Sequence, residues 1–176
     1  PPLSKQEINN VKERLHITDN TLTLNLITPH NKWTIHSSWS DNLLMLTLGR
    51  GGPVIWISEA DAAKIDIQDN DWVEVFNDNG TASCRAIVSQ RIPEGALIMY
   101  HNQERTVNVP LSNITGNRGG IHNSISRLCL KPTHMIGGYA QLSYGLNYYG
   151  TIGANRDEFV IIRKCASVLW GDEDSN

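Results

Sequence analysis

Cysteine is scarce in this 176-residue chain: Cys84, Cys129 and Cys165 stand far apart, with no CxxC pair. That spacing fits neither a zinc site nor a complete disulfide framework, and it suits a reducing compartment. No apolar run is long enough to cross a bilayer as a helix, and the N-terminus lacks the basic-then-apolar order of a signal peptide. Also missing are HExxH, a phosphate-binding GxxxxGK, the GxSxG elbow and any cluster of carboxylates, so no self-contained catalytic centre is legible. Positive charge is not in excess. The formal net charge of −3 argues against a broad nucleic-acid surface and confines any phosphate binding to a local site.

What is present describes one ordinary globular domain, with 40% hydrophobic and 19% charged residues and enough length for a core without staples. The chain begins at Pro1 rather than methionine, from which a piece of something longer is expected. Residues 1–20 read as a lead-in helix or linker: Ser4 and Glu7 form a possible capping box, and Ile8, Val11 and Leu15 recur at helical spacing. Leu22, Leu24 and Leu26 alternate with polar residues as in a strand with one buried face. The apolar run Leu43–Leu48 leans towards a helical turn, GRGGP then makes a turn, and Val54–Ile57 is a short strand. Ser58 caps a helix of about two turns. Asp69–Gly80 begins the clearest hairpin, with Asn79-Gly80 as its positive-φ turn. Ala96–Tyr100 and Glu158–Arg163 are further strands, and residues 166–176 form an acidic tail. Strand, short helix, hairpin and strand at this spacing predict a small closed barrel with short helices over its ends.

Two stretches carry more polar and aromatic chemistry than connectors need. Between Pro29 and Asn42 come His30, Lys32, Trp33, His36, Ser37 and Trp39, a set suited to a flat, polar, partly anionic ligand. Alternatively, the loop is polar as loops are, and its indoles cover a sheet edge. Residues 113–124 form a polar, glycine-rich loop in which backbone N–H groups beside Arg118 could cradle a phosphate; otherwise it is a surface loop. The block from His134 to Gly153 holds five glycines and four tyrosines, a wall against a ligand or against a larger protein.

TPHNKW and IHSSWSDN, within Leu22–Asn42, resemble the start of the C-terminal domain of the respiratory nitrate reductase alpha subunit, in the dimethyl sulfoxide reductase family of molybdenum enzymes. HMIGGYAQLSYGLNYYGTIG, His134 to Gly153, resembles that subunit near its C-terminus, and the blocks between extend the likeness from Leu22 to Lys164. The resemblance implies a mainly β fold, a double-psi β-barrel of the aspartate decarboxylase-like type with short helices and long polar loops. It also implies one domain, 1–176, of a larger subunit that binds bis-molybdopterin guanine dinucleotide, with the ligands of molybdenum and of the iron–sulfur clusters outside this stretch. Implied partners are the rest of the alpha subunit, an iron–sulfur beta subunit and a membrane haem subunit. The implied reaction is nitrate to nitrite, and the implied place is the cytoplasmic face of the membrane. Carried over residue by residue, cofactor contacts fall on His30, Lys32, His36, Ser37, His101, Arg118 and His122, and more weakly on Ser143, Tyr144 and Asn147. The four histidines are expected beside the pterin rings, and Lys32 and Arg118 at phosphates. A pyruvoyl enzyme on the same barrel would need a Gly-Ser bond, and the chain has none. The rival from another class is a polypeptide-binding double-psi module, which would show an apolar or acidic groove without converging histidines.

Overall fold

The structure, a computed structural model, describes residues 5–18, 20–102, 108–126 and 157–171. Its elements in chain order are α1 (Lys5–Arg14), β1 (Thr21–Ile27), α2 (Leu43–Leu48), β2 (Val54–Ile57), α3 (Glu59–Lys64), β3 (Trp72–Asn77), β4 (Gly80–Val88), β5 (Ala96–Met99), a 3-10 turn (His122–Ser124) and β6 (Asp157–Lys164). Six strands close into a barrel in the order β1-β5-β2-β4-β3-β6, with β6 returning to β1. Two of the pairings, β1 with β5 and β2 with β4, are parallel, and the others are antiparallel. Adding three to each strand number, counted cyclically, leaves the set of neighbours unchanged. The halves β1–β3 and β4–β6 are therefore related by a pseudo-twofold, which is the arrangement of a double-psi β-barrel. Closure also removes the exposed strand edges that an open sheet would present.

Side-chain alternation decides what fills the barrel. Leu24 and Leu26 meet Ile55 and Ile57, Val73 and Val75, Ala82 and Cys84, Leu97 and Met99, and Val160 and Ile162 in one buried cluster. The opposite face of β3 and β6 supplies Phe76 and Ile161, which pack with Val11 of α1 in a second cluster. The leading helix is thus fastened to the outside of the barrel through Val11, which is fully buried. Full burial of such an aliphatic side chain contributes about 1.5–3 kcal/mol.

α3 is held at both ends. Ser58 Oγ accepts from Asp61 N at 3.0 Å and donates to Asp61 Oδ2 at 2.9 Å. Asp61 Oδ2 also accepts from Gly95 N at 2.7 Å, and Lys64 Nζ reaches Asp61 Oδ1 at 2.8 Å, so one buried carboxylate ties the helix to the turn before β5. Burial pushes the Asp61 carboxyl up, but the bonds from Lys64, Gly95 and Ser58 outweigh it and hold it below the ordinary range.

Two expectations are corrected. The β3–β4 turn lies at Asp78-Asn79, not Asn79-Gly80: Asn77 pairs with Gly80, and Asn77 Oδ1 accepts from Asn79 N at 2.9 Å, an Asx turn that needs no positive φ at Asn79. Residues 166–171, read as the start of a tail, lie along the 111–118 loop. Asn113 Oδ1 accepts from Ala166 N at 2.9 Å, and Leu111 N donates to Leu169 O at 2.7 Å. The capping residue Ser4 and residues 172–176 lie outside the described residues.

Candidate cofactor-binding site

β1 ends at Ile27 and the chain continues through Thr28 and Pro29 alongside the residues that follow β5. His101 N donates to Pro29 O at 3.2 Å, and His101 Nδ1 donates to Thr28 O at 3.4 Å. Parallel pairing of β1 with β5 thereby continues past both strand ends and fixes the buried His101 ring against the loop that carries His30 and His36. The ring centroids of His30 and His101 are 4.2 Å apart, those of His36 and His101 5.2 Å, and those of His30 and His36 5.8 Å. His122 joins from the third segment, 6.2 Å from His101. His101 and His122 are buried, whereas His30 and His36 are exposed, so the group has an inner wall and an open rim.

Strain marks the rim. Ile35 and Ser38 form an isolated antiparallel bridge, with Ser38 N donating to Ile35 O at 3.0 Å, so His36 and Ser37 are the central pair of a tight turn. His36 takes φ 51°, while Ser37 is not among the positive-φ residues. A positive φ at the first central position alone is the pattern that glycine usually occupies. An imidazole is kept there at a conformational cost of about 1–2 kcal/mol, and strain held at such a point is a pointer to function.

His122 is set by close backbone packing. A Cβ added at Gly120 would lie 2.4 Å from Thr81 O, and one at Gly119 would lie 2.5 Å from Ser83 Cβ. The two glycines let the loop press onto β4, where Gly120 bridges Ala82. Asn77 Nδ2 donates to Ile125 O at 2.8 Å and Ser126 Oγ to His122 O at 2.9 Å, so the 3-10 turn is also clamped to the hairpin.

Of the other sequence candidates, Lys32 is exposed with Nζ 4.5 Å over the Trp33 ring. Ser37 is exposed, and its carbonyl accepts from Ser40 Oγ at 2.6 Å. Arg118 is exposed in a backbone bridge with Leu111, on the loop that leads to His122. Ser143, Tyr144 and Asn147 lie outside the described residues. A groove of about 360 Å³ adjoins the histidines, lined among others by Lys32, Thr34, Trp56, Arg91, Tyr100 and Asn102. Sequence reasoning missed its far wall, because nothing in the spacing of residues 56, 91 and 102 links them before the barrel closes.

No group of three or more His, Cys, Asp or Glu among the described residues is arranged to hold a metal ion. An imidazole edge can donate from one nitrogen and accept at the other, which suits an organic ring whose edge does the same. A family model described as "Molydopterin dinucleotide binding domain" matches residues 24–142. The chain belongs to the molybdopterin dinucleotide-binding domain family. Respiratory nitrate reductase 1 alpha chain of Escherichia coli (strain K12) is 58% identical over 176 residues, all of this chain and 14% of that protein. Nitrate reductase alpha chain of Bacillus subtilis (strain 168) is 56% identical over 149 residues, 85% of this chain and 12% of that one. Perchlorate reductase subunit alpha of Dechloromonas aromatica (strain RCB) is 39% identical over 136 residues, 77% of this chain and 14% of that protein. The chain thus spans about one seventh of the length of these family members. Acetylene hydratase from Pelobacter acetylenicus superposes with a TM-score of 0.57 over 92% of this chain and 20% of its own, at 12% identity, a likeness of fold. No helix among the described residues is long and apolar enough to cross a membrane.

Proposed function

We propose that this chain is the cofactor-binding, C-terminal domain of a respiratory nitrate reductase alpha subunit, in which it orients bis-molybdopterin guanine dinucleotide for reduction of nitrate to nitrite. The observation that carries the reading is the convergence of His30, His36, His101 and His122 from three separate segments onto one end of the barrel. A polypeptide-binding module of the same fold gives no reason for that convergence. When bound, the cofactor supplies the molybdenum and dithiolene chemistry. The chain's own residues hold and tune it: imidazoles donate to or accept from pterin nitrogens and carbonyls, and the buried His101 and His122 do so where water is excluded and each bond counts for more. Lys32, Ser37 and Arg118 would serve the phosphates and ring edges nearer solvent, with Ser143, Tyr144 and Asn147 as further contacts. On this reading the whole chain is one domain, and the remaining cofactor walls belong to earlier parts of the subunit. An iron–sulfur beta subunit and a membrane haem subunit would deliver electrons at the cytoplasmic face.

The test is His101→Ala and His101→Gln in the full-length subunit. Alanine is expected to shift the molybdenum reduction potential and lower kcat for nitrate with the metal content retained, and glutamine to restore part of both. Unchanged potential and turnover in both variants would reject the role of His101. The 176-residue chain alone is expected to give no nitrate turnover with a reduced dye.

A further inference from the structure

The groove beside the histidines has a property that the cofactor reading does not use. Two of its lining residues carry buried polar atoms, Thr34 Oγ1 and Trp56 Nε1, that have no hydrogen-bond partner among the described residues. The indole N–H can only donate, so it is set for an acceptor that comes from outside. Three cations line the same groove: Arg50 is held by Asp69 at 2.8 Å, while among the described residues Lys32 and Arg91 are joined to no carboxylate.

One side of the groove is α2, and α2 is anomalous. It is a six-residue helix, LLMLTL, with no buried residue; Leu43 is 79% exposed and Leu44 76%. So short a helix is not stable through its own backbone bonds, and one that holds five apolar residues and buries none of them is a helix that something covers. Ile35, 71% exposed, and Trp39, 65% exposed, add to the apolar surface that the preceding loop presents. Leu43, Leu44, Ile35 and Trp39 are not part of the groove lining, so a small ligand filling the groove would leave them in water. A polypeptide would cover both.

We propose that α2 and the adjoining groove seat an extended segment of the remainder of the longer subunit. The segment brings an apolar side chain onto Met45 and Leu46, a carboxylate to Arg91, and a backbone carbonyl to Trp56 Nε1. This rests on the reading of the chain as part of a larger polypeptide, and the family members supply the chain needed: this sequence accounts for 14% of the Escherichia coli protein. The seat also borders the histidine group, since Lys32 and Thr34 lie between His30 and His36 in the same loop. Docking there would lock that loop from behind while its imidazoles face the cofactor.

The barrel closes on itself and draws its core from its own strands, so the 176-residue chain can be tested alone beside the full-length subunit. Leu44→Cys in each is treated with a maleimide, and the rate is read by peptide mass spectrometry. Labelling is expected to be at least about tenfold slower in the full-length subunit, because reaction of a thiol is limited by access. Trp56→Phe removes only the indole donor. It is expected to leave the isolated chain as stable as before, since that N–H has no partner to lose, and to speed Leu44→Cys labelling several-fold in the full-length subunit. Equal Leu44→Cys rates in the two forms would overturn the proposal, and so would a Leu44→Cys rate in the full-length subunit that Trp56→Phe leaves unchanged. Neither result touches the potential and kcat measurements on the His101 variants, so failure of docking and failure of the functional reading are told apart.

Discussion

Replacing Glu74 by alanine is the most severe single change the structure offers outside the hydrophobic core. Glu74 is completely buried on β3, and its carboxylate accepts from Thr81 Oγ1 at 3.1 Å, from Ser112 Oγ, from Arg163 Nε at 3.3 Å and from Arg163 Nη2 at 3.1 Å. Those partners belong to β4, to the loop that runs on to His122, and to β6. Arg163 is itself only 7% exposed. Taking away the carboxylate breaks a buried ion pair by removing one of its partners, at a cost of about 3–5 kcal/mol. The Thr81 and Ser112 hydroxyls each lose a charge-assisted bond of roughly 1.5–3 kcal/mol, but these losses overlap with the first because the groups share one network. A total near 4–5 kcal/mol is therefore expected, against an overall stability on the order of 5–15 kcal/mol. Urea unfolding of the chain, followed by circular dichroism, measures it directly. Replacing the pair together, Glu74→Leu with Arg163→Met, should recover most of the loss, because an apolar pair of similar volume avoids desolvating two charges. Two results would refute the reasoning: a loss below about 1 kcal/mol for Glu74→Ala, or a double variant no better than the single one.

His36→Gly should relieve about 1–2 kcal/mol of backbone strain and add roughly 0.5–1 kcal/mol of chain entropy cost; the isolated chain is then expected to be slightly more stable, while cofactor function in the full-length subunit declines. A clear loss of stability in the isolated chain, by thermal unfolding, would contradict the assigned strain. Asp61 has a carboxyl pKa below its unfolded value of 3.8, so its contribution to stability is complete above that value and is lost as pH falls through the lower folded pKa. Wild type should therefore lose stability below about pH 4 relative to Asp61→Asn, and parallel acid titrations would argue against the linkage. The Cys165 thiol is pushed up to about 12 from 9.0 by burial and by the charge of Glu74, so at pH 8 its thiolate is scarcer than an ordinary cysteine's by roughly a thousandfold. Iodoacetamide should modify Cys165 only on unfolding, and rapid reaction of the native chain would show the environment to be wrong.

The strands were legible because each depends on local pattern. Leu22, Leu24 and Leu26 announce β1, and Ser58 with Asp61 announces the cap of α3, which forms the expected hydrogen bond. Glu74 was not legible in the same way. It alternates with Val73 and Val75 as a surface residue would, yet it is buried, because residues far away in sequence bring Arg163 and Ser112 over it. Gly80 was read as turn chemistry, but it leaves space for another segment: a Cβ there would lie 2.5 Å from Ser124 O. Glycines whose purpose is close approach to a distant segment look, in a single sequence, like glycines that make loops.

The same limit applies to the histidine group. Periodicity says that residues 22–26 and 97–99 are strands, but not that the two strands lie parallel side by side. Only that pairing places the loop after β1 against the residue after β5, and so His30 and His36 against His101. His122 arrives by a different route, through Gly119 and Gly120 pressed onto β4. Had the four imidazoles been satisfied separately in packing or by solvent, neither the parallel register nor the glycine contact would need to bring them to one end. The pseudo-twofold strengthens the point. It relates β1 to β4 and β2 to β5, yet the long, histidine-bearing loop follows β1 while β4 is followed only by the short segment 89–95 before β5. The barrel supplies two equivalent positions and the sequence equips one of them, which is the asymmetry expected when a symmetric scaffold has been fitted with a single functional face.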